Sequence, residues 1–282
     1  MAQALDWKPI VVDTWNDAGA DNLSLLAAGV AFYAFLAFVP MLTALVLSYG
    51  LVADPASVVG HMHGLTRMMP GAAAEIIGDQ LRAMTETSDA RTSFALLLAL
   101  AIAVYGASKG AGAITTALNV VYEVEESRGF LRRTLLVLAM TAGAVLALFL
   151  AILAIAALHF LEALLPDFGG LLRFALKAAF FFLAGAAVAL LIALVYRYGP
   201  NRPDAEWRWI TPGSALATLV WLAATWGFGA YVANFSDYNA TYGSLGAVIV
   251  FLTWLYLSAY ILLLGAELNS ILETHAARRR AA

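Results

Sequence analysis

The chain has 282 residues, of which 62% are hydrophobic and only 12% are charged. Together with a mean hydropathy of +0.82, this balance excludes an ordinary soluble globular domain, which needs a far more polar surface. The net charge of -3 argues against a nucleic-acid partner, because phosphate binding requires clustered Lys and Arg. The chain has no cysteine, so disulfides, thiolate metal sites and cysteine nucleophiles are excluded.

The first part of the chain predicts a helix at the membrane surface followed by a membrane span. Within residues 1–24, a helical stripe carries four apolar side chains, Trp7, Val11, Trp15 and Ala18. This pattern is typical of an interfacial helix. The first span covers residues 25–52, and Pro40 within it is expected to kink the helix because proline lacks a backbone donor. Residues 53–91 are predicted to form an external amphipathic loop.

The rest of the chain predicts five further spans, each near the length of about 20 residues that crosses a bilayer core. They cover residues 92–121, 135–160, 172–196, 210–234 and 245–268. Residues 269–282 then form a tail. The predicted fold is therefore all-α: a polytopic transmembrane helix bundle of six spans in one membrane domain, residues 1–282, with interfacial amphipathic helices.

The distribution of Lys and Arg predicts that both termini are cytoplasmic, because cytoplasmic loops retain positive charge. The segments on the side of the termini contain ten of these residues: Lys8, Arg128, Arg132, Arg133, Arg197, Arg202, Arg208, Arg278, Arg279 and Arg280. The loops on the other side contain Arg67, Arg82 and Arg91, all of them within residues 53–91. The interfacial helix and the tail are accordingly placed in the cytoplasm.

Lys109 interrupts the second span and carries the clearest functional signal. On a helix of about 100° per residue, Tyr105, Thr116 and Asn119 share a polar stripe with Lys109. An ammonium group at membrane depth is costly, so the stripe predicts a substrate cavity that this residue lines. The alternative is that Lys109 extends its side chain to the cytoplasmic headgroups.

Glu267, near the end of the sixth span, is the oppositely charged residue that is predicted to pair with Lys109. Tyr260 shares its helical face, so both are predicted cavity residues. The alternative is that Glu267 and Asn269 cap or solvate the end of the helix. Elsewhere, Gly106 and Gly110 form a small-xxx-small pattern on the side of the second span away from Lys109, which indicates close helix packing.

The short connection before the sixth span is rich in Asn, Ser, Tyr and Gly. A structured hairpin is sufficient to explain it, because Asn and Gly suit tight turns and Tyr suits the membrane interface. The alternative is an external gate formed by Asn234, Asn239, Thr241 and Tyr242. His61 and His63 in the external loop have no third ligand in reach, so no metal site is predicted.

Three segments together carry a resemblance to a known family. They are the run 27–33 with Phe38-Val39-Pro40, then Gly106-Ala107-Ser108-Lys109-Gly110 with Ala117-Leu118-Asn119-Val120-Val121-Tyr122, and a long C-terminal block. The block contains Tyr198-Gly199-Pro200-Asn201-Arg202, Pro212-Gly213, residues 234–246, and Leu264-Gly265-Ala266-Glu267-Leu268-Asn269. In these runs the chain resembles the YihY/BrkB family of bacterial inner-membrane proteins.

The resemblance implies a multi-pass protein of the bacterial cytoplasmic membrane that is associated with serum resistance, virulence and envelope biogenesis. With the cationic stripe, it favours translocation of a lipid-like or amphipathic anionic envelope component. A non-transporting scaffold or regulator of envelope biogenesis is the alternative. The family also carries an old ribonuclease label, which these residues do not support because no carboxylate or histidine cluster is arranged to hold a metal. The expected partners are membrane lipids and envelope proteins; no enzyme activity, cofactor or nucleic acid is predicted.

Overall fold

The computed structural model describes residues 7–52, 89–164, 170–202, 210–233 and 244–281. These segments contain seven α-helices and no strand, so the predicted all-α class is confirmed for the described part of the chain. The predicted external loop up to residue 88 lies outside the described residues. So do residues 234–243, with the four residues of the predicted hairpin or gate, Asn234, Asn239, Thr241 and Tyr242.

Each predicted span is matched by one helix, and each boundary of spans one to five lies within five residues of the prediction. The helices are α1 (Trp7–Ala20), α2 (Leu23–Val52), α3 (Asp89–Val121), α4 (Phe130–Leu164), α5 (Gly170–Tyr198), α6 (Pro212–Ala233) and α7 (Ser244–Ala281). The helix α1 forms where the interfacial helix was predicted. Three of its apolar side chains, Trp7, Val11 and Trp15, are exposed, whereas Ala18 is buried.

Four of the described helices contain stretches that are long and apolar enough to cross a membrane: Leu97–Val121, Phe174–Tyr198, Pro212–Val232 and Val248–Arg278. The count rises to five if α1 and the first part of α2 form one broken span. In α5 and α6 only 11% of the most apolar stretch is buried inside the protein, so their outward faces require an apolar surrounding. The count of six spans stays a prediction.

The chain breaks between α1 and α2 at an asparagine. Asn22 has a positive φ of 54°, a conformation that Asn adopts more readily than most residues. Its side-chain amide donates to the carbonyl of Ala20 at 3.1 Å, which helps to hold the corner. Pro40, in contrast, lies inside α2, which continues through it as one helical element. The predicted kink at Pro40 stays a prediction.

The chain divides into two compact units, each built from several separate segments. The first unit comprises Met1–Leu26, Ile114–Ala223 and Tyr260–Ala282, and the second comprises Ala27–Ala113 and Ala224–Ala259. In the first unit, Leu118 and Leu263 are fully buried. In the second, a Cβ on Gly106 would lie 2.9 Å from the Cα of Ala37, so α2 and α3 touch where close packing was predicted. Gly110 makes only ordinary contacts with α2.

The last helix extends beyond the predicted end of the sixth span, because α7 continues to Ala281. The predicted tail 269–282 is therefore helical over nearly its whole length. The segment is helical because it packs against α1: Ile10 of α1 forms a buried cluster with Leu268 and Ile271 of α7. A hydrogen bond between His275 Nε2 and Asp13 Oδ2 at 3.0 Å joins the same two helices. The end of α7 thus has a partner surface, which a free tail would lack.

Candidate functional site

A polar junction in the first unit joins the ends of several helices, and it begins in the turn after α3. There the guanidinium of Arg128 holds the carboxylate of Glu126 in a bidentate pair, with Nε at 2.7 Å from Oε1 and Nη2 at 2.6 Å from Oε2. The backbone N–H of Arg128 donates to the same carboxylate at 3.2 Å. Because a bidentate pair fixes both side chains in one geometry, the turn presents Arg128 in a defined orientation.

Arg128 links this turn to the end of α5. Its Nη2 also donates to the carbonyl of Gly199 at 3.0 Å, and Nη1 donates to that of Tyr198 at 3.4 Å. The carbonyl of Tyr198 belongs to the last turn of α5 and that of Gly199 follows it, so neither has a partner within the helix. Gly199 is required here, because a Cβ on it would lie 2.5 Å from the backbone carbonyl oxygen of Val195 and 2.6 Å from Cδ1 of Leu118. The end of α5 therefore sits directly against α3.

Two asparagines complete the connection between α3 and α5. Asn119 is buried, with its Nδ2 donating to Oε2 of Glu126 at 3.0 Å and its Oδ1 accepting from the backbone N–H of Asn201 at 2.8 Å. In return, Asn201 Nδ2 donates to the carbonyl of Glu125 and to the hydroxyl of Ser127. Buried amides that use both ends in this way specify a single arrangement of their neighbours.

The charge of Glu126 is stabilised by its neighbours. Hydrogen bonding from Arg128, with a further hydrogen bond from Asn119, lowers the pKa of Glu126 from its ordinary value of 4.5 to about 2. Its carboxylate therefore remains ionised over the whole physiological pH range. The Glu126–Arg128 ion pair therefore stays charged, and its strength does not change with pH near neutrality.

We expect Arg128→Gln to lower the thermal midpoint of the protein, because Glu126 and two carbonyls lose charged hydrogen bonds. The loss depends on pH with a defined sign. A carboxyl whose folded pKa is depressed stabilises the fold fully above its unfolded pKa and loses that effect as pH falls. The difference between wild type and variant should stay constant above about pH 5 and shrink toward pH 2. Thermal scans in detergent measure it, and a difference that grows on acidification contradicts the assignment.

A second arginine joins α5 to α7. The guanidinium of Arg202 lies 3.7 Å from the centroid of the Tyr122 ring, a cation–π contact, and pairs with Glu273 on α7. Its Nη2 donates to the carbonyl of Tyr196 at 3.4 Å. The hydroxyl of Tyr196 itself donates to the carbonyl of Leu262. The arginine thus anchors the segment after α5 to both α3 and α7.

The start of α6 is held by α7. Thr211 and Ser214 form a reciprocal capping box, with hydrogen bonds of 3.0 Å and 3.1 Å between each backbone N–H and the other hydroxyl. Asn269, buried on α7, accepts from the backbone N–H of Gly213 at 2.8 Å and donates to the hydroxyl of Thr211 at 2.8 Å. The backbone N–H of Gly213 lies in the first turn of α6 and has no partner within that helix, so Asn269 of α7 supplies the missing acceptor.

The predicted cavity residues are divided between the two units. Tyr105 and Lys109 belong to the second unit and are exposed, with the ammonium 5.2 Å from the centroid of the Tyr105 ring. Thr116 and Asn119 belong to the first unit, where they line a cavity of about 390 Å³ at the end of α3. The other polar residues lining it are Glu123, Glu125, Glu126 and Arg133. A single wall carrying all four predicted residues stays a prediction.

Glu267 is only 2% exposed, and its Oε2 has no hydrogen-bond partner among the described residues. Tyr260 lies on the same helix and is partly buried. The alternative was that Glu267 and Asn269 cap or solvate a helix end, and Asn269 does cap one, the start of α6. Both side chains are buried, and their own helix α7 continues past them. Because Glu267 and Lys109 belong to different units, their pairing stays a prediction.

Three residues of the junction were not recognised as functional from the sequence alone: Arg128, Asn201 and Arg202. Asn201 and Arg202 lie in a run that carries the family resemblance, which was the available signal, whereas Arg128 lies outside these runs. Their roles depend on partners far along the chain, which spacing does not reveal. Among the described residues, no group of three or more His, Cys, Asp or Glu is arranged to hold a metal ion.

The apolar helices and their outward faces define a multi-pass helical membrane protein. The family model described as Virulence factor BrkB matches residues 14–282. The chain therefore belongs to the virulence factor BrkB family, as its motifs indicated.

Curated relatives agree with this assignment. Over 190 residues the chain is 33% identical to YfkH of Bacillus subtilis, which is named a ribonuclease-like protein, covering 66% of this chain and 69% of YfkH. It is 42% identical over 89 residues to a UPF0761 membrane protein of Xanthomonas oryzae, covering 31% of this chain and 21% of that protein. A UPF0761 membrane protein of Stenotrophomonas maltophilia is 38% identical over 79 residues, or 28% of this chain and 18% of that protein. No solved structure matches the chain.

Proposed function

We propose that this protein translocates a lipid-like or amphipathic anionic component of the bacterial envelope across the inner membrane. The observation that carries the proposal is the exposed ammonium of Lys109 beside Tyr105, within the apolar stretch Leu97–Val121 of α3. A cation at such a position is costly in an apolar surrounding, and an anionic headgroup offsets that cost. Exposed apolar side chains on the same helix, Leu98, Ile102 and Val104, supply a surface for acyl chains.

The cost of placing this charge in an apolar surrounding favours this function over a role as scaffold. A scaffold needs shape and apolar contact, and an apolar residue in place of Lys109 would serve both with greater stability in the membrane. A carrier of anions needs the charge. Enzyme activity forms no part of the proposal, and the ribonuclease-like name of YfkH belongs to that relative.

The function is tested by the lipid composition of the two membranes in cells that lack the protein. We expect one class of anionic or amphipathic envelope lipid to accumulate in the inner membrane and to be depleted outside it. Expression of the wild-type chain should restore the distribution. Unchanged composition of both membranes, together with loss of a protein complex, would favour the scaffold.

The proposed orientation places both termini in the cytoplasm, on the basis of the Lys and Arg distribution. The chain lacks cysteine, so single cysteines report on sidedness without a background signal. A cysteine replacing Ser127, in the exposed turn after α3, should resist an impermeant thiol reagent in sealed cells. Cysteines replacing Asp167 or Asn239 should react. Labelling at position 127 in sealed cells would show that the proposed orientation is wrong and that the termini lie outside.

A further inference from the structure

The cavity at the end of α3 lies where the apolar stretch Leu97–Val121 gives way to a polar turn. Its volume of about 390 Å³ lies within the range of small-molecule pockets, roughly 300–1,000 Å³. Val120, on its wall, is 39% exposed. The cavity therefore lies at the boundary between an apolar helix and a polar turn.

The charges around this cavity are mixed. Glu123 and Glu125 are exposed carboxylates on its wall, whereas Glu126 is neutralised by Arg128. Arg133 lies on the same wall, and its Nη2 donates to the hydroxyl of Thr116 at 3.2 Å. A guanidinium carries five N–H donors, so within the part of the chain that the structure describes, others are left for a ligand. Two carboxylates repel a purely anionic ligand here, and Arg133 repels a purely cationic one. A ligand with one phosphate and one ammonium satisfies both.

An exposed apolar side chain lies on the same side of α4 as Arg133, which lines the cavity. Phe130 is 88% exposed, and at about 100° per residue it lies about 60° from Arg133 around the helix, whereas Leu131 and Leu135 lie on the opposite face. A large apolar side chain beside a polar cavity matches an amphiphile, whose headgroup occupies the cavity while its chains cover the helix.

We propose that this cavity binds the headgroup of a zwitterionic aminophospholipid, with its phosphate on Arg133 and its primary ammonium on Glu123 and Glu125. A primary ammonium donates three hydrogen bonds, so it can bind two carboxylates, whereas a quaternary ammonium donates none. Ethanolamine lipids are therefore preferred over choline lipids, and lipids without an amine are disfavoured. The proposal makes no use of Lys109 and does not depend on translocation.

Binding is tested with the purified full chain, from which bound lipid is removed before it is offered nanodiscs of defined composition. Retention of phosphatidylethanolamine, phosphatidylcholine and phosphatidylglycerol is then compared by native mass spectrometry. We expect the ethanolamine lipid to be retained about tenfold better than either of the others, as charge-assisted hydrogen bonds imply. Soluble glycerophosphoethanolamine should bind far more weakly, because it lacks the chains that contact α4. Equal binding of lipid and soluble headgroup overturns the lipid part of the proposal.

Variants assign the effect to the cavity. Glu123→Gln combined with Glu125→Gln should remove the preference for ethanolamine over choline, and Arg133→Gln should weaken retention of both. Arg132→Gln is the matched control, since Arg132 is an exposed neighbour that does not line the cavity. These changes affect exposed side chains, so they should preserve the helical circular dichroism spectrum. Equal retention of ethanolamine and choline lipids by the wild type, or an unchanged preference in the double variant, overturns the proposal whatever the outcome for translocation.

Discussion

Lys109→Met should abolish complementation of an envelope defect while the amount of protein in the membrane stays near normal. The ammonium of Lys109 is exposed beside Tyr105 on an apolar helix, so its removal breaks no packed core. Insertion scales assign a cost of roughly 2.5–3.5 kcal/mol to a lysine at the centre of a membrane helix, so methionine should favour insertion. A loss of function without loss of protein therefore reports on the charge itself.

Three further variants sharpen this test. Lys109→Arg keeps the charge with a different head geometry, and we expect partial activity. Tyr105→Leu removes the ring beside the ammonium and should lower activity less than Lys109→Met does. Lys177→Met, which removes an exposed lysine from the apolar helix α5, is the matched control and should retain activity. Full complementation by Lys109→Met would defeat the proposed role.

The proposed pairing of Lys109 with Glu267 is tested by a double-substitution cycle. If the two charges interact, Lys109→Met and Glu267→Gln should each reduce the thermal stability more than the combined variant does. Glu267 is buried without a hydrogen bond on Oε2 among the described residues, so its own replacement by Gln keeps the volume and removes the charge. Additive effects of the two substitutions would show that the residues act independently.

The largest expected effect on stability belongs to Gly213→Ala. A Cβ on Gly213 would overlap the carbonyl oxygen of Gly265 and lie 2.7 Å from Cγ of Asn269, so α6 and α7 would have to separate. Separation also breaks the hydrogen bond from the Gly213 N–H to Asn269. Overpacking typically costs roughly 1–3 kcal/mol, and a chain of this size loses roughly 2–4 °C in Tm per kcal/mol. Thermal scans in detergent measure the loss.

The control lies on the same helix. Gly227 of α6 has no neighbour within 4 Å of an added Cβ, so Gly227→Ala should leave Tm unchanged or raise it. Gly265→Ala should match Gly213→Ala, since its Cβ would lie 2.6 Å from the hydroxyl of Tyr196 and 2.7 Å from Cβ of Ala217. Equal effects of alanine at positions 213 and 227 would show that the two helices do not cross closely here.

The sequence by itself determined the class of the protein, its helices and most of their ends. Long apolar intervals without charge have one stable form in a bilayer, because every backbone donor must be satisfied within its own segment. This is why the prediction of residues 25–52 and the observed α2, Leu23–Val52, nearly coincide. The glycines Gly106 and Gly110 likewise predicted helix contact, since two glycines one turn apart let another helix approach closely and can be recognised in the sequence.

Only the tertiary structure decided which polar groups meet. Arg128 reaches Gly199, and Asn269 reaches Gly213, across long stretches of chain that no helical period connects. The sequence predicted Glu267 as a cavity residue, with the end of a helix as the alternative, but α7 continues because α1 covers its last turns. Local chemistry sets whether a segment is helical and apolar. The partner of each buried polar group depends on how distant helix ends pack, and that is a property of the whole fold.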